Sequence, residues 1–184
     1  MMRTVFALIV IAVTGMPRPV PDHSVLSAAE PLMHTETSFD LTVHASLSET
    51  APLFGPEGER AWAGKHWNPQ FIYPKTANDE PGAVFTIKRG PYSAVWVTTR
   101  FDLKAGHFQY VYFIQDVMVT TIDVRFQPID SATTRVNVVY TRTAVTPAGN
   151  EHVAAMTEAD KNSGQDWQES IDKYLAGRIT GGRP

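Results

Sequence analysis

APLFGPEGERAWAGKHWNPQFIYP, residues 51–74, packs proline, glycine, tryptophan and charge into one short span. It interrupts a chain that otherwise reads as strands. Before it, in TSFDLTVHASL (37–47), Phe39, Leu41, Val43, Ala45 and Leu47 share one face while Asp40, Thr42, His44 and Ser46 share the other. That is the alternation of a half-buried strand. Ser48 then offers an N-cap oxygen ahead of ETAPLF, and Gly55-Pro56 restarts the chain. Pro56 suits the first position of a second short helix, PEGERAWA, because its missing N–H is not needed there. Glu57 and Glu59 fall in the first turn of that helix, where the dipole favours them. The stretch reads as two short helices broken at Gly55-Pro56 and ending in the aromatic turn GKHWNP.

After it, alternation resumes. FIYP (71–74) suits a short strand, and Ala83, Phe85 and Ile87 alternate in GAVFTIKRG. Val95, Val97, Thr99 and Phe101 oppose Trp96, Thr98 and Arg100. Phe108, Tyr110, Tyr112 and Ile114 share a face, as do Met118, Thr120, Ile122, Val124 and Phe126, and then Val136, Val138 and Tyr140. KAGH (104–107) and PIDSAT (128–133) supply turn chemistry between neighbours. Strands in uninterrupted succession imply an antiparallel meander. From about 148 to 176 the period changes: Val153, Met156, Trp167, Ile171, Tyr174 and Leu175 fall on one stripe of a 3.6-residue helix. About 26 helical residues span about 39 Å, against about 33 Å for a ten-residue strand, so the helix reaches across the sheet. Gly164, in NSG, is a point where it kinks or divides if it does so anywhere.

The predicted class is therefore α+β: a curved antiparallel sheet of about seven strands, two short helices after the first, and one long C-terminal helix on one face. The helical excursion lets the first strand form an edge while the chain returns elsewhere to build the meander. The 184 residues suit one domain, placed at 37–178, with a linker at 16–36 and a disordered tail at 179–184.

Composition excludes several classes. A net charge of −3 gives no basic face for nucleic acid. Cysteine is absent, which removes disulfides, thiolate nucleophiles and cysteine-ligated zinc. The apolar run Val5–Val13 follows one arginine and precedes small residues. It is too short to span a bilayer but matches the core of a signal peptide, 1–15, with cleavage after Gly15 or as late as Ala29. Export to the periplasm or medium follows from that reading, and no membrane span remains after its removal. If translation instead starts at Met33, the protein is cytoplasmic.

Three local patterns carry a resemblance: LSETAPLFGPEGERAWAGKHWNPQFIYP as a helix-helix-Trp-Pro lead-in, AVWVTTRFD followed by a Tyr-rich strand, and VNVVYTRTAV leading into the long helix. In this order, over 37–176, they resemble the START-like, helix-grip superfamily (SRPBCC proteins, polyketide-cyclase-like members included). The resemblance implies a sheet wrapped around the C-terminal helix with a cavity for an apolar ligand. It implies binding or transfer of a small hydrophobic or amphipathic molecule (lipid, sterol or polyketide-like), or alternatively cyclase or dehydratase chemistry in the same pocket.

The helix offers an independent test for such a cavity. Between Met156 and Trp167 the sheet-facing positions are Ala159, Asp160, Ser163 and Gly164, small or polar where a packed core wants bulk. Either large sheet residues fill that space or a ligand does. Trp96, Tyr110, Tyr112, Met118, Phe126 and Tyr140 are the expected wall on the sheet, with Met156, Ala159 and Trp167 on the helix. Residues 53–74 form the expected rim. The candidates for acid–base chemistry are Asp160, as a buried carboxyl, and His66, beside the rim. Arg100 and Arg142 stand near strand ends, each either exposed or available to a ligand anion. No metal-ligand spacing joins the six histidines, and no motif calls for a cofactor. The remaining sheet face, with Arg125, Arg135, Asn137 and Thr141, reads as solvated rather than as a partner surface.

Overall fold

The computed structural model describes residues 30–181. The expected signal segment, the linker up to residue 29 and residues 182–184 lie outside the described residues.

Seven strands form one antiparallel sheet: β1 (His34–Val43), β2 (Gln70–Tyr73), β3 (Val84–Arg89), β4 (Tyr92–Asp102), β5 (His107–Ile114), β6 (Met118–Asp130) and β7 (Thr133–Ala144). Their spatial order is β1-β7-β6-β5-β4-β3-β2. This explains residues 51–74. β1 and β2 are consecutive in sequence yet occupy opposite edges, so the chain between them must cross the whole sheet. It does so through a one-turn helix α1 (Leu47–Thr50) and two 3-10 turns, Ala51–Phe54 and Gly58–Ala61. The order of elements is that of the helix-grip fold.

Local details differ from expectation for identifiable reasons. β1 begins at His34, three residues before Thr37, because β7 continues far enough to pair His34 with Thr143. Ser46 rather than Ser48 caps α1: its N–H and hydroxyl donate to the Glu49 carboxylate at 3.3 and 2.7 Å. Pro56 lies between the two 3-10 turns instead of opening a helix. Gly58 packs so tightly on the Pro52 carbonyl that a β-carbon there would collide with it.

The long helix α2 runs unbroken from Gly149 to Gly181, 33 residues, into the segment expected to be a tail. Gly164 does not divide it. A β-carbon at that position would lie 2.9 Å from the Asp40 carbonyl oxygen and 3.3 Å from the Phe39 ring. Glycine is thus the residue that lets α2 approach β1 closely. The helix packs mainly on β1, with further contact to β7 and β6, and its Val153 and Ile171 are fully buried. Phe54, Phe108 and Phe126 close one end of the core, with Phe54–Phe126 and Phe108–Phe126 ring centroids at 5.2 and 4.9 Å. No helix among the described residues is long and apolar enough to cross a membrane.

Candidate functional site

Because α2 lies over β1 and β7, the inner faces of β3 to β5 are left uncovered and a cavity of about 610 Å3 opens between them and the helix. Cross-strand pairing sets its floor. One row runs across all seven strands: Thr35, Arg142, Thr120, Tyr112, Trp96, Phe85 and Phe71. The aromatic half of the row is stacked, with Phe71–Phe85 at 5.4 Å, Phe85–Trp96 at 5.7 Å and Trp96–Tyr112 at 4.3 Å between ring centroids. Alternation puts these rings on the concave face. Thr120, small and fully buried, separates them from Arg142.

Arg142 is the polar centre of the helix side. It donates two hydrogen bonds to the Asp160 carboxylate, Nη1 to Oδ2 and Nη2 to Oδ1, the latter at 3.0 Å. The two side chains are 2% and 9% exposed. Thr37 of β1 donates its hydroxyl to the same carboxylate, and the guanidinium carbon lies 4.3 Å from the Tyr140 ring centroid. Arg142 Nε and Trp96 Nε1 are buried and have no hydrogen-bond partner among the described residues. Both residues line the cavity. Burial pushes the Tyr140 and Tyr110 phenols well above the usual tyrosine range, so both stay neutral. Tyr112 directs its hydroxyl at the Met156 sulfur, 3.8 Å away.

The crossing segment forms the opposite wall. Three ring donors hold its backbone: Trp62 Nε1 to the Leu53 carbonyl at 2.7 Å, Trp67 Nε1 to Pro56 at 2.7 Å, and the Tyr110 hydroxyl to Phe54 at 2.8 Å. Trp62 and Trp67 then present their rings inward, 5.4 Å from Trp167 and 5.5 Å from Trp96. Glu59 lies on this wall, 9% exposed. Desolvation, and secondarily the negative charge of Asp79, raise its carboxyl well above the usual range, while Arg89 opposes the shift. Asp79 accepts the Glu57 N–H at 2.9 Å. At the far end of the cavity, Tyr92 and His152 meet edge to face at 5.0 Å between β4 and α2.

Of the wall residues expected from sequence, Trp96, Tyr110, Tyr112, Tyr140, Met156, Ala159 and Trp167 line the cavity. Met118 and Phe126 do not. Met118 is fully buried at the end of β6, opposite Ile114 and Ala144, and Phe126 is fixed in the phenylalanine cluster; both are packing. The undersized middle of α2 divides by face. Gly164 packs against β1, Asp160 reaches Arg142 of β7 from the cavity wall, and Ala159 and Ser163 border the open space. Asp160, expected as an acid or base, is an ion-paired carboxylate because Arg142 points inward from β7. His66 is exposed in its turn and does not reach the cavity. Arg100 is half-exposed beside Asp102 at 4.0 Å. Arg142, by contrast, is a wall residue. Sequence reasoning missed Glu59, Trp62 and Trp67 as wall residues. The signal for Glu59 was its spacing of three from Trp62, which puts both on one side of a helical turn.

No protein-family model and no curated relative matches this sequence. Solved structures do match in shape. Norcoclaurine synthase from Thalictrum flavum, in complex with dopamine and hydroxybenzaldehyde, is 10% identical with a TM-score of 0.57, over 83% of this chain and 90% of that one. Ara h 8.0201 is 11% identical with a TM-score of 0.55, over 79% and 99%. An HSP90 activator from Plasmodium falciparum is 13% identical with a TM-score of 0.54, over 77% and 96%. At such identities the likeness establishes the fold alone.

Proposed function

We propose that this START-like, helix-grip chain binds a small amphipathic molecule between α2 and β3–β5, and sequesters or transfers it. The observation that carries the reading is that, of the three buried side-chain polar atoms without partners among the described residues, two, Trp96 Nε1 and Arg142 Nε, belong to wall residues of a cavity of about 610 Å3, the third being Thr98 Oγ1. Buried donors are left unmade in few places, and a binding site is one of them. Both are N–H donors, so the molecule carries an acceptor oxygen that meets one or both. Its body is apolar and in part flat, to lie on the stacked Phe85, Trp96 and Tyr112 rings. The volume suits a small ligand, since such pockets run from roughly 300 to 1,000 Å3. The binding of dopamine and hydroxybenzaldehyde by one neighbour of the same fold is consistent in size and chemistry. Because Asp160 is paired with Arg142 and His66 lies outside the cavity, cyclase or dehydratase chemistry would fall to a wall tyrosine, Tyr110, Tyr112 or Tyr140.

Native mass spectrometry of the protein purified from cells tests the reading. A bound mass that disappears on denaturation and is much reduced in W96F is the expected result. A ligand-free protein that also takes up no fatty acid, sterol or aromatic polyketide would overturn it. We further propose that the carrier is exported, on the Val5–Val13 run. The intact mass of the protein from its own cells should correspond to a start after Gly15 or Ala29, and a chain recovered from the cytoplasm with a start at Met33 would refute this.

A further inference from the structure

Glu59 is a buried carboxyl that nothing in the fold serves. Among the described residues no side chain or backbone group donates a hydrogen bond to it, and burial and neighbouring charges alone perturb it. The donors that surround it are committed elsewhere. The Trp62 and Trp67 indoles and the Tyr110 hydroxyl hold the carbonyls of residues 53, 56 and 54. Arg60, its sequence neighbour, turns outward to Glu57 and Asn68. Glu59 is 9% exposed and lines the cavity, so its carboxyl, without a donor from the protein, is open to one from a ligand.

The local field has one sign. Asp79, from the loop before β3, adds a second carboxyl near Glu59, while Arg89, exposed at the end of β3, is the cation that acts against them. Tyr110 and Tyr140 face Glu59 from β5 and β7 as neutral phenols. The other charged or titratable wall groups are His152 and Asp166 on α2, and the Arg142–Asp160 pair, which neutralises itself. Aromatic faces add their own negative potential, which attracts cations.

We infer that Glu59 recognises a protonated amine, so that the ligand is an amphipathic molecule whose ammonium group sits on the Glu59 carboxylate and whose apolar body lies along the Trp67–Trp96 wall. This rests on the cavity being a binding site. The proton balance follows. Burial favours the protonated Glu59 carboxyl and an adjacent ammonium favours the carboxylate, so the arrival of the amine is coupled to release of the carboxyl proton to solvent and leaves an ion pair in place of two separate groups.

Calorimetry on the full chain with three probes of one shape decides the matter: tryptamine, tryptophol and indole-3-propionate. Tryptamine should bind at least about tenfold more tightly than tryptophol, the worth of one charge-assisted hydrogen bond, with the propionate weakest. In E59Q the preference should vanish while tryptophol binding persists. Repeating the wild-type titration in buffers of different ionisation enthalpy should show a proton released. Its affinity should rise as pH climbs from the ordinary carboxyl value of 4.5 through the raised one, a readout that needs no variant and stands if E59Q fails to fold. Tryptophol binding as tightly as tryptamine, a preference that survives in E59Q, or a pH-independent affinity without proton release would each overturn the amine assignment and leave the cavity reading intact. If none of the three probes binds, the amine assignment falls, while the cavity reading is decided by the native mass spectrometry and uptake tests given for it above.

Discussion

Arg142 of β7 and Asp160 of α2 form a doubly hydrogen-bonded ion pair that is the principal polar tie between the helix and the sheet. It sits where the small residues of α2 leave the helix without apolar grip. The pair fixes which side of the helix is packed and which side borders the cavity.

Removing one partner should be worse than removing both. D160N leaves a buried guanidinium unpaired and should cost about 3–5 kcal/mol, whereas the double variant R142M/D160L should cost markedly less. Urea denaturation of the three proteins checks this. A D160N protein as stable as wild type would mean that Arg142 finds water or another partner.

Trp96→Phe keeps the stack on Phe85 and Tyr112 but removes an N–H that has no partner within the fold. Stability should change by less than about 1 kcal/mol. Ligand retention should fall about tenfold if that N–H serves the ligand. Unfolding curves and ligand titration separate the two effects.

Two helix positions five residues apart should respond oppositely to added bulk. Gly164→Val drives methyl groups into Phe39 and the Asp40 carbonyl and should cost about 1–3 kcal/mol. Ala159→Leu extends into open space, should leave stability unchanged or raised, and should reduce ligand uptake. Thermal melts together with native mass spectrometry distinguish the outcomes.

Glu59 also sets a pH dependence for the unliganded protein. Its folded-state carboxyl holds a proton more tightly than in the unfolded chain, so the folded state binds more protons as pH rises past the ordinary value of 4.5. Stability should therefore be greatest below that value and decline as pH climbs toward the raised folded value. Asp79, raised mainly by its own burial, adds a contribution of the same sign. E59Q should flatten the decline and be the more stable protein at neutral pH. Denaturation midpoints from pH 4 to pH 8, an interval of about four units around the linked titration, provide the measurement. A decline of equal slope in E59Q would assign it elsewhere.

Period and punctuation in the chain were enough for the architecture. Alternation named every meander strand, the change to a 3.6-residue stripe named α2, and the Pro- and Trp-rich span at 51–74 marked the crossing between the two sheet edges. These are properties of one element at a time, and a linear sequence carries them directly. Alternation also grouped Tyr110 with Tyr112 and set Trp96 opposite Val95 and Val97, but which of the two faces points inward was for the folded sheet to decide. What required the tertiary structure was every relation between elements. Asp160 read as a free acid until β7 brought Arg142 against it, eighteen residues away along the chain. Met118 and Phe126 share the inward face with the cavity wall, yet lie in rows that other side chains close. Glu59 looked like a helix-dipole residue, and only the folded crossing segment shows that its donors are spent on backbone carbonyls. Periodicity says which way a side chain points; packing density and hydrogen-bond competition say what it meets there, and those depend on distant parts of the chain arriving at one place.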